Sequence, residues 1–188
     1  ALGQIDIKGA APRPANQENK PHSHLLAVIG SAYLLLNIVA VWYLRESIDF
    51  GRDLVMFVFI AVWAVVIGAY FSGRLMGGPK LAPKLSPNKT WAGAIGGAVA
   101  AALFGFLWAY VAGAREPLMA LALAAPITFF AQGGDLLESM LKRRSGAKDA
   151  SGIIPGHGGI LDRIDGLLMM IPVFTLFQLL LGPLLGWW

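Results

Sequence analysis

The chain has 188 residues, of which 56% are hydrophobic and 14% charged, with a formal net charge of +4. A soluble domain carries roughly 25% charged residues and under half apolar ones, so the composition excludes an ordinary water-soluble fold and suits lipid as the solvent. Cysteine is absent, which excludes disulfide frameworks and thiolate metal sites, and in such a chain the excess of cations points to membrane orientation, not to a nucleic-acid partner.

Residues 1–24 mix Pro, Asn, Gln and Gly with scattered charges and no apolar periodicity. They read as a flexible tail or linker ahead of a transmembrane domain over 25–188. The chain opens on Ala1 with no signal-peptide pattern, and is expected to be an N-terminally truncated or processed piece of a protein with further spans. Five apolar segments follow, at residues 25–44, 54–71, 91–113, 118–132 and 167–188. Crossing a bilayer takes about 20 mostly apolar residues. The fourth segment runs into Gly133-Gly134, and the fifth closes on Trp187-Trp188, a pair suited to the aromatic belt at a membrane surface. The expected fold is therefore all-α, a polytopic transmembrane helical bundle of about five spans.

The basic residues orient it. Arg74, Lys80, Lys84 and Lys89 share the loop 72–90, and Lys142, Arg143, Arg144, Lys148 and Arg163 share the stretch 133–165. Two spans separate these loops, so both fall on one side, which the positive-inside rule makes cytoplasmic. In the third span Gly93, Gly97, Ala101 and Gly105 recur every fourth residue and form a small-residue face. Packing within the chain is favoured for that face, and a homodimer interface stays open.

Polar groups bordering spans are expensive and tend to be functional. Asp162 and Asp165, at i and i+3, share a helical face where the last span begins, and Asp135 sits where the previous span ends. Hard oxygen donors of this kind suit Mg²⁺, which is held by one or two carboxylates together with substrate phosphate oxygens. On composition alone, interhelical ion pairs with Arg143 or Arg163 fit the same acids equally well. Ser86, Asn88, Lys89 and Thr90 form a second polar cluster, in which Ser86-Pro87 and Thr90 also suit the start of the third helix.

The order of residues adds what composition leaves open. Ser139-Met140-Leu141-Lys142-Arg143, then Lys148-Asp149-Ala150-Ser151, then Ile154-Pro155-Gly156-His157-Gly158-Gly159-Ile160-Leu161-Asp162-Arg163-Ile164-Asp165 closely resembles the signature of CDP-diacylglycerol synthases, or phosphatidate cytidylyltransferases. Ser86-Pro87-Asn88-Lys89-Thr90-Trp91-Ala92-Gly93 resembles that family's second polar loop, and the likeness extends over residues 70–168. The resemblance implies an integral enzyme of the bacterial inner membrane with its site facing the cytoplasm. Such an enzyme joins CTP to phosphatidate from the adjoining leaflet, giving CDP-diacylglycerol and pyrophosphate with the help of Mg²⁺, as one ion or two.

Carried onto this chain, the resemblance makes Asp135 and Asp162 metal ligands and Asp165 a third ligand or an orienting group. Lys142, Arg143, Lys148 and Arg163 become phosphate contacts, and Ser86, Lys89, Thr90 and Ser139 substrate contacts, Lys89 foremost. Asp149 fits orientation of Lys148 as well as substrate contact. His157 fits loop structure as well as substrate contact, and Gly158 and Gly159 open backbone N–H groups to phosphate. Glu138 falls outside the signature and is the weaker candidate. One departure stands out. The family pattern has an Asp just before the match to Gly68-Ala69-Tyr70, where this chain reads Val66-Ile67. That difference keeps open a catalytically impaired homologue or scaffold. A CTP-dependent enzyme acting on another membrane lipid is the other alternative.

Overall fold

The computed structural model describes residues 21–46, 49–83, 85–145 and 161–188, with side chains outside 21–27, 142–145 and 161–163. In chain order these form α1 (Pro21–Glu46), α2 (Gly51–Met76), β1 (Lys80–Ala82), β2 (Ser86–Thr90), α3 (Trp91–Val111), α4 (Met119–Ser145), α5 (Leu161–Leu180) and α6 (Gly182–Leu185). Four helices are long and apolar enough to cross a membrane, and a shorter apolar one, Ile164–Leu180, accompanies them. The protein is thus an integral membrane helical bundle. The chain divides into two compact units, residues 1–34 and 35–188. Of the first, the described part is the opening of α1, where Val28, Ile29 and Leu34 are exposed. The second unit holds the remaining elements.

α2 is the organising helix of that unit. Leu54, Phe57, Val58, Ala61, Val62 and Val65 recur at helical spacing and are all but fully buried. The small-residue face of α3 packs against α2, because Gly93, Gly97, Ala101, Gly105 and Ala109 are its buried residues. A Cβ at Gly97 would lie 2.9 Å from the Val65 carbonyl oxygen, and one at Gly105 would lie 3.1 Å from the Phe57 ring. The stripe is thereby used inside the chain. α2 ends at Gly77 and Gly78, whose φ of 62° and 98° only glycine adopts freely, and the chain turns there into the hairpin.

The helical bundle is as expected, with a two-stranded antiparallel hairpin inside the loop 72–90. Three finer expectations are corrected. Ser86-Pro87 belong to β2, and Thr90 alone caps α3, its hydroxyl accepting the Gly93 N–H at 3.1 Å. α4 does not stop at Gly133-Gly134 but runs on to Ser145, which places Asp135 and Glu138 within the helix. Helical hydrogen bonding carries it through, since glycine lowers helix propensity without removing the N–H donor. Finally, Trp187 and Trp188 do not reach a surface belt. After α5 the chain reverses through α6 and Gly186, and the Glu116 N–H donates to the Trp187 carbonyl at 3.0 Å. Both indoles enter the core against Phe57, at ring centroid distances of 5.4 and 5.9 Å, and Trp187 Nε1 donates to Gln178 Oε1 at 3.3 Å. Burial with a partner for the N–H gives Trp187 more contact than an interface would.

In lipid, helices associate by close packing and not by exclusion from water, so the α2–α3 contact should be sensitive to a single methyl. Gly97→Ala is expected to destabilise by about 1–3 kcal/mol through overpacking. Gly30→Ala, where a Cβ meets nothing within 4 Å, should leave stability unchanged or raise it slightly. Thermal unfolding of the two variants in detergent compares them.

Candidate active site

The site grows from a second backbone crossing, between α4 and α5. A Cβ at Gly134 would lie 2.7 Å from the Asp165 carbonyl oxygen, and one at Gly166 would lie 3.1 Å from the Ala131 carbonyl oxygen. Each glycine is the sequence neighbour of an acid, Asp135 or Asp165. The crossing therefore brings both carboxylates to the same place. The Gly166 N–H donates to Asp165 Oδ1 at 2.6 Å. Glu138, one turn past Asp135 on the same helix, is near enough to act on the Asp165 carboxylate.

The hairpin supplies the opposing charge. β2 delivers Lys89 just before the α3 cap, and its Nζ stands 2.7 Å from Asp135 Oδ2 while donating to the Gln132 carbonyl at 3.1 Å. The Lys89 side chain is only 18% exposed, against 44% for Asp135, so the pair is screened less than a surface bridge. Pairing of this kind is what lets charge sit among apolar helices at tolerable cost.

Around these groups lies a cavity of about 390 Å³. One wall is apolar, formed by Val65, Val66, Ala69 and Tyr70 of α2. The other carries Ser86, Asn88, Lys89 and Thr90 from β2, Gln132 and Asp135 from α4, and Asp165 from α5. The Gln132 Nε2 amide is buried and has no acceptor among the described residues, so it is a donor available to a ligand oxygen. Val66, 58% exposed, faces this same space. The position expected from the resemblance to carry an Asp is thus a cavity position.

Of the residues expected from sequence, Ser86, Lys89, Thr90, Asp135 and Asp165 line the cavity together. Thr90 spends its hydroxyl on the helix cap. Ser139, half-buried on α4, lies beyond the cavity lining. Lys148, Asp149, His157, Gly158 and Gly159 lie outside the described residues, as do the side chains of Lys142, Arg143, Asp162 and Arg163. Among the described residues no three His, Asp or Glu side chains are grouped to hold a metal ion by themselves. Sequence reasoning missed Gln132 and Tyr70, which line the cavity, and gave Glu138 as a weaker candidate. The signal for Glu138 was its place at i+3 from Asp135 on one helix.

Fold and cavity together define a helical membrane protein whose helix crossings enclose a lysine–carboxylate site. The chain belongs to the cytidylyltransferase family, whose model matches residues 7–181 and so begins inside the stretch 1–24. It is 46% identical to the phosphatidate cytidylyltransferase of Brucella suis biovar 1 (strain 1330) over 148 residues, covering 79% of this chain and 55% of that protein. Over 132 residues it is 47% identical to the phosphatidate cytidylyltransferase of Haemophilus influenzae, covering 68% of this chain and 46% of that one. The Pseudomonas aeruginosa protein of the same name is 44% identical over 146 residues, covering 75% and 54%. The chain spans about half the length of the curated relatives it matches.

If the Gly134 crossing sets the distance between the two carboxylates, a larger residue there should open it. Gly134→Val is expected to cost about 1–3 kcal/mol, lowering the unfolding temperature in detergent, and to break the Lys89–Asp135 contact. Loss of a distance restraint between labels on β2 and α4 checks the second effect.

Proposed function

We propose that this chain is the catalytic part of a phosphatidate cytidylyltransferase, transferring the cytidylyl group of CTP to phosphatidate to give CDP-diacylglycerol and pyrophosphate. The observation that carries the proposal is the two-sided cavity. Its apolar α2 wall suits a lipid arriving from the bilayer, and its charged wall of Lys89, Gln132, Asp135 and Asp165 suits phosphates arriving from water. The excess of Lys and Arg in the loops 72–90 and 133–165 supports a site that faces the cytoplasm, and the kinship with bacterial proteins supports a bacterial inner membrane.

Both substrates are anions, so the site's main task is to offset their repulsion and position them in line. The phosphate-monoester oxygen of the lipid attacks the α-phosphorus of CTP, and pyrophosphate departs. With a second pKa of about 6, the attacking phosphate is already largely dianionic at neutral pH, so no general base is required. Lys89 offsets charge on the phosphates, and the Gln132 amide donates to a phosphate oxygen. Cations of the signature, Lys142, Arg143, Lys148 and Arg163, add to this charge, with Arg suited to bidentate contact.

The donor set also fits Mg²⁺. Asp135 and Asp165 line one cavity as hard oxygen donors, and this ion is typically held by one or two carboxylates plus substrate phosphates. Asp135 and Asp165 would hold it, and the family resemblance adds Asp162 to them. Bound there, Mg²⁺ supplies charge neutralisation for the triphosphate. Glu138, which acts on Asp165 from α4, is placed to orient it.

A second reading rests on Val66, which lines the cavity where the family pattern has Asp. On that reading the chain binds CTP but turns over slowly. An assay in liposomes with labelled CTP, Mg²⁺ and phosphatidate separates the two. Product formation that falls by about a hundredfold or more in Asp162→Asn and Asp135→Asn supports the enzyme. CTP binding without turnover, restored by Val66→Asp, supports the second reading, and failure to bind CTP or phosphatidate at all sinks both.

A further inference from the structure

Lys89 holds an unusual position for a phosphate contact. Its ammonium is committed to Asp135 Oδ2 at 2.7 Å and to the Gln132 carbonyl at 3.1 Å, both on α4. Asp135, Asp165 and Glu138 converge on the same crossing, and the charge of Lys89 also acts on Asp165. Without a cation there, these acids would repel one another in a partly buried setting where charge interactions are strong. The lysine supplies the positive charge at this crossing.

We propose that Lys89 is a built-in stand-in for a divalent ion. It keeps Asp135 in place in the empty site, and leaves it for the nucleotide's phosphates when metal and triphosphate arrive together. The inference rests on the reading of the cavity as a metal–nucleotide site and adds the order in which it fills. A divalent ion arriving alone meets a carboxylate already neutralised and an ammonium of like charge beside it, so it binds weakly. A triphosphate gives the ammonium a new anionic partner and frees Asp135 for the ion. The two ligands therefore strengthen each other, and linkage requires the gain to be reciprocal. Such coupling is typically worth ~5–150-fold in affinity. Lys89 thus acts as a positioning residue for Asp135 as well as a phosphate contact, and the site favours the metal–nucleotide complex over the bare ion.

The test reads metal binding, not turnover. Mn²⁺ is titrated into the full chain in detergent, with and without CTP, and followed by the resonance signal of the free ion. In Lys89→Gln the affinity for Mn²⁺ alone should rise by about tenfold, while the enhancement by CTP should shrink. A lysine that merely supported the fold would lower both when lost. Weaker or unchanged Mn²⁺ binding in the variant overturns the proposal. The unmodified protein provides a second measurement that needs no variant to fold. A zero-length carbodiimide cross-link between Lys89 and Asp135 should form in ligand-free protein and vanish when Mg²⁺ and CTP are both present. Its absence from ligand-free protein, or its persistence with both ligands, also overturns the proposal. Should the chain fail to bind CTP, the proposed function falls, yet the comparison of Mn²⁺ alone still reads the hold of Lys89 on Asp135.

Discussion

Contact between helix backbones at glycine governs this molecule. Lipid offers helices no hydrophobic drive to associate, so what holds them is the number of atoms brought within van der Waals range. Gly97 lets α3 rest on the carbonyl of Val65, and Gly134 lets α4 rest on that of Asp165. The first contact builds the scaffold and the second builds the site. Because Gly134 and Gly166 each adjoin a carboxylate in sequence, the atoms that pack the helices also set the spacing of the acids. Stability and chemistry are tied at that crossing, and a substitution there cannot change one alone.

The same crossing creates an electrostatic problem that the hairpin resolves. Acids from α4 and α5 meet among apolar helices, where an unpaired charge is far more costly than at a wet surface. Lys89 reaches them from a different part of the chain, more than forty residues away in sequence. The pairing explains why a short β-ribbon belongs in an otherwise helical protein. An extended strand ending in a helix cap presents a cation at the point where the acids meet.

The spans were legible because length and apolarity decide them, and the α3 face because a period of four maps small residues to one side. The acids were legible as a group through their places at the borders of spans, and Asp162 and Asp165 also through the family signature. What was hidden depended on tertiary fit. Gly133-Gly134 read as a helix end, since local propensity disfavours glycine in helices, yet the crossing with α5 uses the missing side chain. Trp187-Trp188 read as interface residues because composition carries no information about a chain reversal at Gly186. Pairing of Lys89 with Asp135 could not be seen in either residue's neighbourhood, and Gln132 carried no local mark of its place in the cavity. Val66 was noticed only as a mismatch of spelling; its place on the cavity wall gives that mismatch a physical setting.

The cap at Thr90 has one more consequence. Its hydroxyl is bonded to the Gly93 N–H, and the Trp91 N–H donates to the Pro79 carbonyl at 3.0 Å, so the backbone on either side of that residue is pinned. Lys89 immediately precedes it. The root of the lysine is therefore a fixed pivot, and only the four-carbon stem is free to turn. An arm on a fixed pivot sweeps a surface of set radius, which makes it a ruler. An anion can be met only where that arc crosses the cavity, so the rim of helix α3, and not the lysine's own flexibility, sets the depth at which Lys89 could meet one.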